Sequence, residues 1–179
     1  MKIAHPLSFL LSLSLAASAC GGEAASSGDS KSAADNSHPL VGNPAPGFDL
    51  DSSNGKGKIS MGGLNGKVVI VDFWATWCEP CKKSFPKLQD LHVKYKASGL
   101  RIVGLSEDDD KAGIAEFGKT YGAEFPLVWD ADKAVAGKWN PGSMPSTFII
   151  DRKGVVRFIH RGYHDGEEFE IEKEVKGLL

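Results

Sequence analysis

Val68-Val69-Ile70-Val71-Asp72-Phe73-Trp74-Ala75-Thr76-Trp77-Cys78-Glu79-Pro80-Cys81 is the stretch on which the fold turns. Its first half is a continuous β-branched and aromatic run with one acid inside it. A run of this kind suits a strand buried on both faces, as in a central parallel sheet. Its second half is a Cys-x-x-Cys motif. A helix is expected after it, to about Ala97, with Phe85, Leu88, Leu91, Val93 and Tyr95 as its apolar stripe and Gly99 as its stop.

Downstream, Leu100 to Leu105 reads as a second buried strand. Asp110 to Thr120 reads as a helix with Asp108 or Asp109 as its cap. A short strand at Pro126–Trp129 and a short helix at Lys133–Lys138 follow. Thr147–Asp151 and Val155–Ile159 form a hairpin across Arg152-Lys153-Gly154. Asp165-x-x-Glu168 resembles a capping box opening a final helix to Leu178. Upstream, Phe48–Asp51 and Lys58–Met61 flank the turn signal Ser52-Ser53-Asn54-Gly55. The order is β-β-β-α-β-α-β-α-β-β-α, which predicts an α/β sandwich with a central mixed sheet flanked by helices.

Composition narrows the class. The chain has 179 residues, 41% of them hydrophobic, and a net charge of −2. No basic run accompanies this balance, so nucleic-acid binding through bulk charge is not expected. Three cysteines, Cys20, Cys78 and Cys81, are too few for a disulfide framework. Lys2 followed by the apolar, serine-interrupted Leu7–Ala19 is shorter than the ~20 residues of a membrane span and has the make-up of a signal peptide. Ala17-Ser18-Ala19 suits ordinary signal peptidase, whereas small residues directly before Cys20 suit lipidation of that cysteine. The polar, low-complexity stretch from Gly21 onward suits a tether, which favours the lipoprotein reading. The expected organisation is a signal peptide over 1–19, a flexible linker over 20–39 and one domain over 40–179.

The chemistry expected at Cys78 and Cys81 follows from their place at a helix start. Free N–H groups and the positive end of the helix dipole favour thiolate over thiol. Two intervening residues let the second thiol reach the first, and Pro80 sets the turn without needing an N–H. Dithiol exchange follows: Cys78 attacks a substrate disulfide and Cys81 resolves the mixed disulfide. Other uses weigh less. A zinc half-site needs two further ligands, and His92, His160 and His164 are scattered. An inert staple across so short a loop constrains little chain.

Phe73-Trp74-Ala75-Thr76-Trp77-Cys78-Glu79-Pro80-Cys81-Lys82-Lys83, with Pro86 and with Met144-Pro145-Ser146-Thr147, resembles the thioredoxin superfamily and its TlpA/ResA-like extracytoplasmic branch. The resemblance runs from about Leu40 to Leu178. It implies a thioredoxin-like sandwich with an N-terminal β-hairpin extension and a βα insertion. It implies that Pro145 is cis and faces the disulfide, that the backbone of Met144 pairs with substrate, and that Trp77 covers the sulfurs beside Glu79 and Pro80. Asp72 stands where thioredoxins place a buried acid that accepts the resolving cysteine's proton. The resemblance further implies periplasmic protein thiols and disulfides as partners and a membrane protein that relays electrons, with membrane contact only through a lipid at Cys20. No cofactor is expected beyond the redox-active Cys78–Cys81 pair, and no metal. The cytochrome-maturation members of the branch carry an acid where this chain has Ser84, so that substrate is not carried over.

Glu79 between the cysteines opposes a thiolate and favours a reducing couple. Two rival functions remain in view. One is a peroxiredoxin-like peroxidase acting through Cys78. The other is a copper-handling module on the same fold. Glu107-Asp108-Asp109-Asp110 reads as a solvated capping loop, Asp130-Ala131-Asp132 as a turn, His160 and His164 as surface or packing residues, and Trp129 and Trp139 as core or rim.

Overall fold

Every residue of β3, Val68–Trp74, is buried. Successive side chains of a strand point to opposite faces, so β3 feeds two cores. Val68, Ile70 and Trp74 enter one; Val69, Val71 and Phe73 enter the other. The computed structural model describes residues 1–2 and 34–179; the expected signal peptide, Cys20 and most of the expected linker lie outside the described residues.

β3 is the centre of a five-stranded sheet. β4 (Leu100–Ser106) and β5 (Leu127–Trp129) extend it on one side in parallel. β6 (Ser146–Ile150) pairs antiparallel on the other side, and β7 (Val156–Arg161) pairs antiparallel with β6. A separate antiparallel hairpin, β1 (Asp49–Asp51) with β2 (Lys58–Ser60), precedes the sheet. A 3-10 turn at Gly62–Leu64 joins the two. The expected hairpin extension and mixed sheet are both present, and β5 with the helix after it is the extra βα unit on the β4 side.

The first core lies between the sheet and three helices. α1 (Glu79–Tyr95) brings Cys81, Phe85, Leu88 and Leu91; α2 (Ile114–Thr120) brings Ile114 and Phe117; α4 (Glu167–Leu178) brings Ile171 and Val175. Lys94 Nζ and Tyr95 Oη both donate to Glu172, tying α1 to α4. The second core packs α3 (Ala134–Trp139) and the N-terminal segment against the opposite face, around Phe73, Trp139 and Phe148. Phe73, Trp139 and Phe148 meet in tilted and edge-on pairs 5.1–5.7 Å apart, the geometry aromatic quadrupoles prefer.

Several expectations need correction. Val93 is 54% exposed and leaves the stripe of α1. α2 starts at Ile114 after Gly113, not at Asp110, and neither Asp108 nor Asp109 caps it. α4 starts at Glu167 after Gly166, and Asp165 gives it no side-chain cap. Both N-caps sit at positive φ, 85° and 97°, where glycine carries no steric penalty. Residues 35–39, expected as the end of the linker, pack onto the domain. Asp35 N–H donates to the Ile159 carbonyl, Asp35 pairs with Arg161, and His38 is buried edge-on against Phe148. The same segment continues along the outer edge of β7 through Gly42, Asn43 and Ala45, while Ser53 hydrogen-bonds to Leu127 on the edge of β5. Both sheet edges are thereby covered, which denies them to foreign strands.

Candidate active site

The C-terminal end of β3 delivers the chain into a short loop, Ala75 to Cys78, and then into α1. Cys78 is the N-cap of α1, with Pro80 in its first turn. The N–H of Cys81 donates to Cys78 Sγ at 3.2 Å. The sulfur therefore occupies the position of a capping oxygen, at the end of the helix where orphan N–H groups and the dipole favour negative charge. Cys78 and Cys81 are joined by a disulfide, their Cα atoms 5.3 Å apart. Both are nearly or fully buried, at 4% and 0% exposure.

The loop is held by an acid distant in sequence. Asp108 accepts from the Thr76 N–H, from the Thr76 hydroxyl at 2.7 Å, and from the Ser106 hydroxyl. Its own carbonyl accepts from Trp129 Nε1 and Lys133 Nζ. Asp108 is thus a buried clasp between the tip of β4 and the redox loop, not part of a solvated cap. The rest of the acidic run behaves differently. Asp110 turns on the N–H of Ala112. Burial pushes the Glu107 carboxyl up to about 7, with Asp130 and Asp108 adding to the rise and Lys133 opposing it.

Asp72 lies on the same sheet face as Ile70 and Trp74, the face that packs the two cysteines. It is fully buried. Loss of solvation pushes its carboxyl up to about 7; the hydrogen bond from the Thr147 hydroxyl opposes the rise and the Glu167 carboxylate adds to it. Thr147 Oγ1 donates to Asp72 Oδ1 at 2.6 Å, and Oδ2 has no hydrogen-bond partner.

The Met144–Pro145 peptide is cis. Pro145, Thr147 and Ser84 line a narrow cleft between α1, α4 and the start of β6. Ser84 is buried, and its hydroxyl donates back to the Cys81 carbonyl. Trp77 is 66% exposed beside the motif, so it is a surface aromatic and not a core residue. Glu79 is exposed and held at 2.7 Å by Lys82. The hydrogen bond and charge of Lys82 keep its carboxyl below the usual range. Much of the negative charge expected to act on the thiolate is met by that lysine. Among the described residues no three His, Cys, Asp or Glu side chains are grouped to hold a metal ion. No described helix is long and apolar enough to cross a membrane.

The sequence singled out Cys78, Cys81, Asp72, Trp77, Glu79, Pro80, Met144 and Pro145, and the structure gathers them at one end of the sheet. It missed Asp108, Thr147, His160 and Glu167. His160, expected at the surface or in ordinary packing, is fully buried and ion-paired with two glutamates of α4. Their signal in the sequence is weak: Asp108 and Thr147 act on groups 32 and 75 residues away, and the His160 pairs join a strand to a helix with no motif to mark them.

Comparison with known proteins gives a consistent picture. The model of the AhpC/TSA family matches residues 41–159. The chain is 40% identical over 115 residues to the thiol-disulfide oxidoreductase ResA of Bacillus subtilis, covering 64% of each chain, a little under two thirds of that relative. It is 37% identical to the protein of the same name in Bacillus thuringiensis, over 69% of this chain and 70% of that one. Among solved structures, a Chlorobium tepidum protein assigned as the thiol:disulfide interchange protein DsbE superposes with a TM-score of 0.73 at 31% identity, over 77% of this chain and 96% of that one.

Proposed function

The chain belongs to the AhpC/TSA family, among thioredoxin-fold thiol–disulfide oxidoreductases, and from that premise we propose that it reduces disulfides of proteins outside the cytoplasm. The observation that carries this reading is Cys78 Sγ at the head of α1, accepting the Cys81 N–H and bonded to Cys81.

The cycle runs as follows. In the reduced protein the helix terminus stabilises a Cys78 thiolate, which attacks one sulfur of a substrate disulfide. A Cys78–substrate disulfide forms and the other substrate sulfur leaves as a thiolate that takes a proton. The Cys81 thiol then gives its proton to the Asp72 carboxylate and attacks Cys78. The Cys78–Cys81 disulfide forms, and the second substrate sulfur departs as a thiolate that takes a proton from water. Two electrons pass from the dithiol to the substrate. Asp72 suits the acceptor role because its carboxyl, raised to about 7 by burial, matches a near-neutral working pH. With Ser84 turned back onto the helix, Asp72 carries that role without a second acid on the first turns of α1.

Trp77, exposed beside the sulfurs, and the Met144–Pro145 segment form the docking surface. An extended substrate pairs with the Met144 backbone as a short added strand. Glu79 tilts the couple toward reduction, an effect that Lys82 tempers. A protein reductant in an oxidising compartment needs electrons, supplied in this reading by a membrane protein that passes them outward. The N-terminal apolar stretch directs export, and Cys20 carries a lipid that holds the domain at the membrane.

The test is a Cys81→Ser trap in the exporting host. Mixed disulfides on Cys78 are expected, absent when Cys78→Ser is added, and the wild-type protein should reduce insulin with dithiothreitol. Absence of both would sink the reading, and rapid consumption of hydrogen peroxide in their place would favour a peroxidase. A reduction potential near about −120 mV, that of a strong periplasmic oxidant, would reverse the assigned direction.

A further inference from the structure

A buried row of polar side chains crosses the α4 side of the sheet, away from the cysteines. Asp72 on β3 stands opposite Thr147 on β6, and Thr147 stands opposite His160 on β7. α4 closes over the row with two glutamates. Glu174 Oε2 lies 2.7 Å from His160 Nε2, and Glu167 Oε1 lies 3.4 Å from His160 Nδ1. Asp72 and His160 are 0% exposed and Glu167 is 1% exposed. Glu167, Ile171 and Val175 are the buried face of α4, so Glu167 takes a core position.

The row carries an excess of acid. One imidazole serves three carboxyl groups, and a single partner such as Glu174 already matches an imidazolium. Burying a further carboxylate costs several kcal/mol unless something offsets it. Glu167 Oε1 and Asp72 Oδ2 have no hydrogen-bond partner. The elements around Asp72 offer little else that is charged. The buried side chains of α1 are Cys81, Ser84, Phe85, Leu88 and Leu91, none of them a cation or a carboxylate, and Asp72 has Gly104 of β4 and Thr147 of β6 as its strand neighbours. From α4 comes Glu167, whose charge acts on Asp72, and His160 with Glu174 stands one strand further out.

We propose that Glu167 is a positioning residue of the exchange reaction: clamped by His160, its carboxylate disfavours a second negative charge on Asp72 and so strengthens Asp72 as the acceptor of the Cys81 proton. This rests on the acceptor role given to Asp72 above. In the resolving step the proton leaves Cys81 Sγ for Asp72, the Cys81 sulfur bonds to Cys78, and the substrate thiolate is released. Glu167 exchanges no atom; it sets how firmly Asp72 holds the proton.

The test reads Asp72 directly, by carboxyl carbon NMR titration of the oxidised full-length protein. Glu167→Gln keeps the shape and removes the charge. It should lower the Asp72 midpoint by roughly half a pH unit or more, whereas Thr147→Val should raise it. An unmoved or raised midpoint in the Glu167→Gln variant would overturn the inference. If that variant loses its near-ultraviolet dichroism, the wild-type titration decides instead. A wild-type Asp72 midpoint no higher than that of an ordinary aspartate, about 4, would overturn the inference. Exchange kinetics separate this from the broader reading. A shifted midpoint with an Asp72→Asn variant of undiminished exchange rate refutes the acceptor role. A slow Asp72→Asn variant with an unmoved midpoint refutes Glu167 alone.

Discussion

Asp72 puts a cost on the fold as well as serving the chemistry. Its carboxyl holds a proton up to about 7 in the folded protein, against an ordinary value of 3.8. The folded state binds more protons than the unfolded state between these values, so this group's contribution to stability falls as pH rises from about 4 to 7. Asp72→Asn removes that dependence and leaves an oxygen to accept from Thr147. Its stability relative to wild type should grow by roughly 2–3 kcal/mol between pH 5 and pH 8, measured by denaturant unfolding of the oxidised protein; a constant difference would contradict the raised carboxyl. Asp108 is the opposite case, a buried acid that the fold depends on. Asp108→Ala strands the Thr76 N–H and the Thr76 and Ser106 hydroxyls, with an expected loss of about 2–4 kcal/mol in thermal unfolding. The two acids were unequally legible. Asp72 stood out as the one acid in an apolar run, whereas Asp108 sat inside an acidic run and its partner Thr76 is 32 residues away.

At the level of elements, periodicity was readable where a segment is buried on all sides. β3 and β4 keep the bounds their apolar runs suggest, to within a residue, because both faces of the sheet are covered. The starts of α1 and α3 were readable to within a residue, but that of α2 was not, because Asp108, which looked like its cap, is spent on Thr76; at α4 Glu168 accepts the N–H of the N-cap Gly166, while Asp165 returns no side-chain bond. Glycine at positive φ turns the chain into α2 and α4 instead. Val93 was assigned to the stripe of α1 from hydrophobicity alone; Leu88 and Leu91 fix the buried face, and Val93 lies two residues, some 200° of helix, beyond Leu91. β4 owes its close approach to Gly104, opposite Asp72. A Cβ there would come 2.7 Å from Leu127 Cδ2 and 3.0 Å from Trp74 Nε1. Gly104→Ala should therefore cost about 1–3 kcal/mol through overpacking, read as a lower melting temperature with the Cys78–Cys81 disulfide still able to form.

For the whole molecule the buried groups whose titration is raised act in a common direction between about pH 4 and pH 9. Asp72 and Glu107 are raised to about 7, so their share of the stability declines up to that pH. Burial disfavours charge on His160, but its ion pairs with Glu167 and Glu174 outweigh it and raise the imidazole to about 9. The His160 contribution is complete below about 6.5 and is lost as pH rises through about 9. Asp35, Asp151, Glu168 and Glu172 are held low by their hydrogen bonds and cations, so acid removes what they add. Melting temperatures of the oxidised protein should peak near pH 5 and fall toward pH 9; a peak at pH 8 or above would contradict this assignment. The layered architecture and the end of the sheet that holds the cysteines were legible because they follow from alternation and from one motif. The row through Thr147, His160 and Glu167 was not, since strand register and a helix crossing bring it together. The segment from Asp35 to Ala45 adds a mechanical consequence. It lies antiparallel along β7 and meets it first at Ile159 and Arg161, beside the end of the sheet that carries Pro145. Tension on the upstream chain would be taken up by these bonds one after another, as a zipper opens. The strap would yield before any load reached β3, so the redox centre is insulated from a pull on the chain upstream of Asp35.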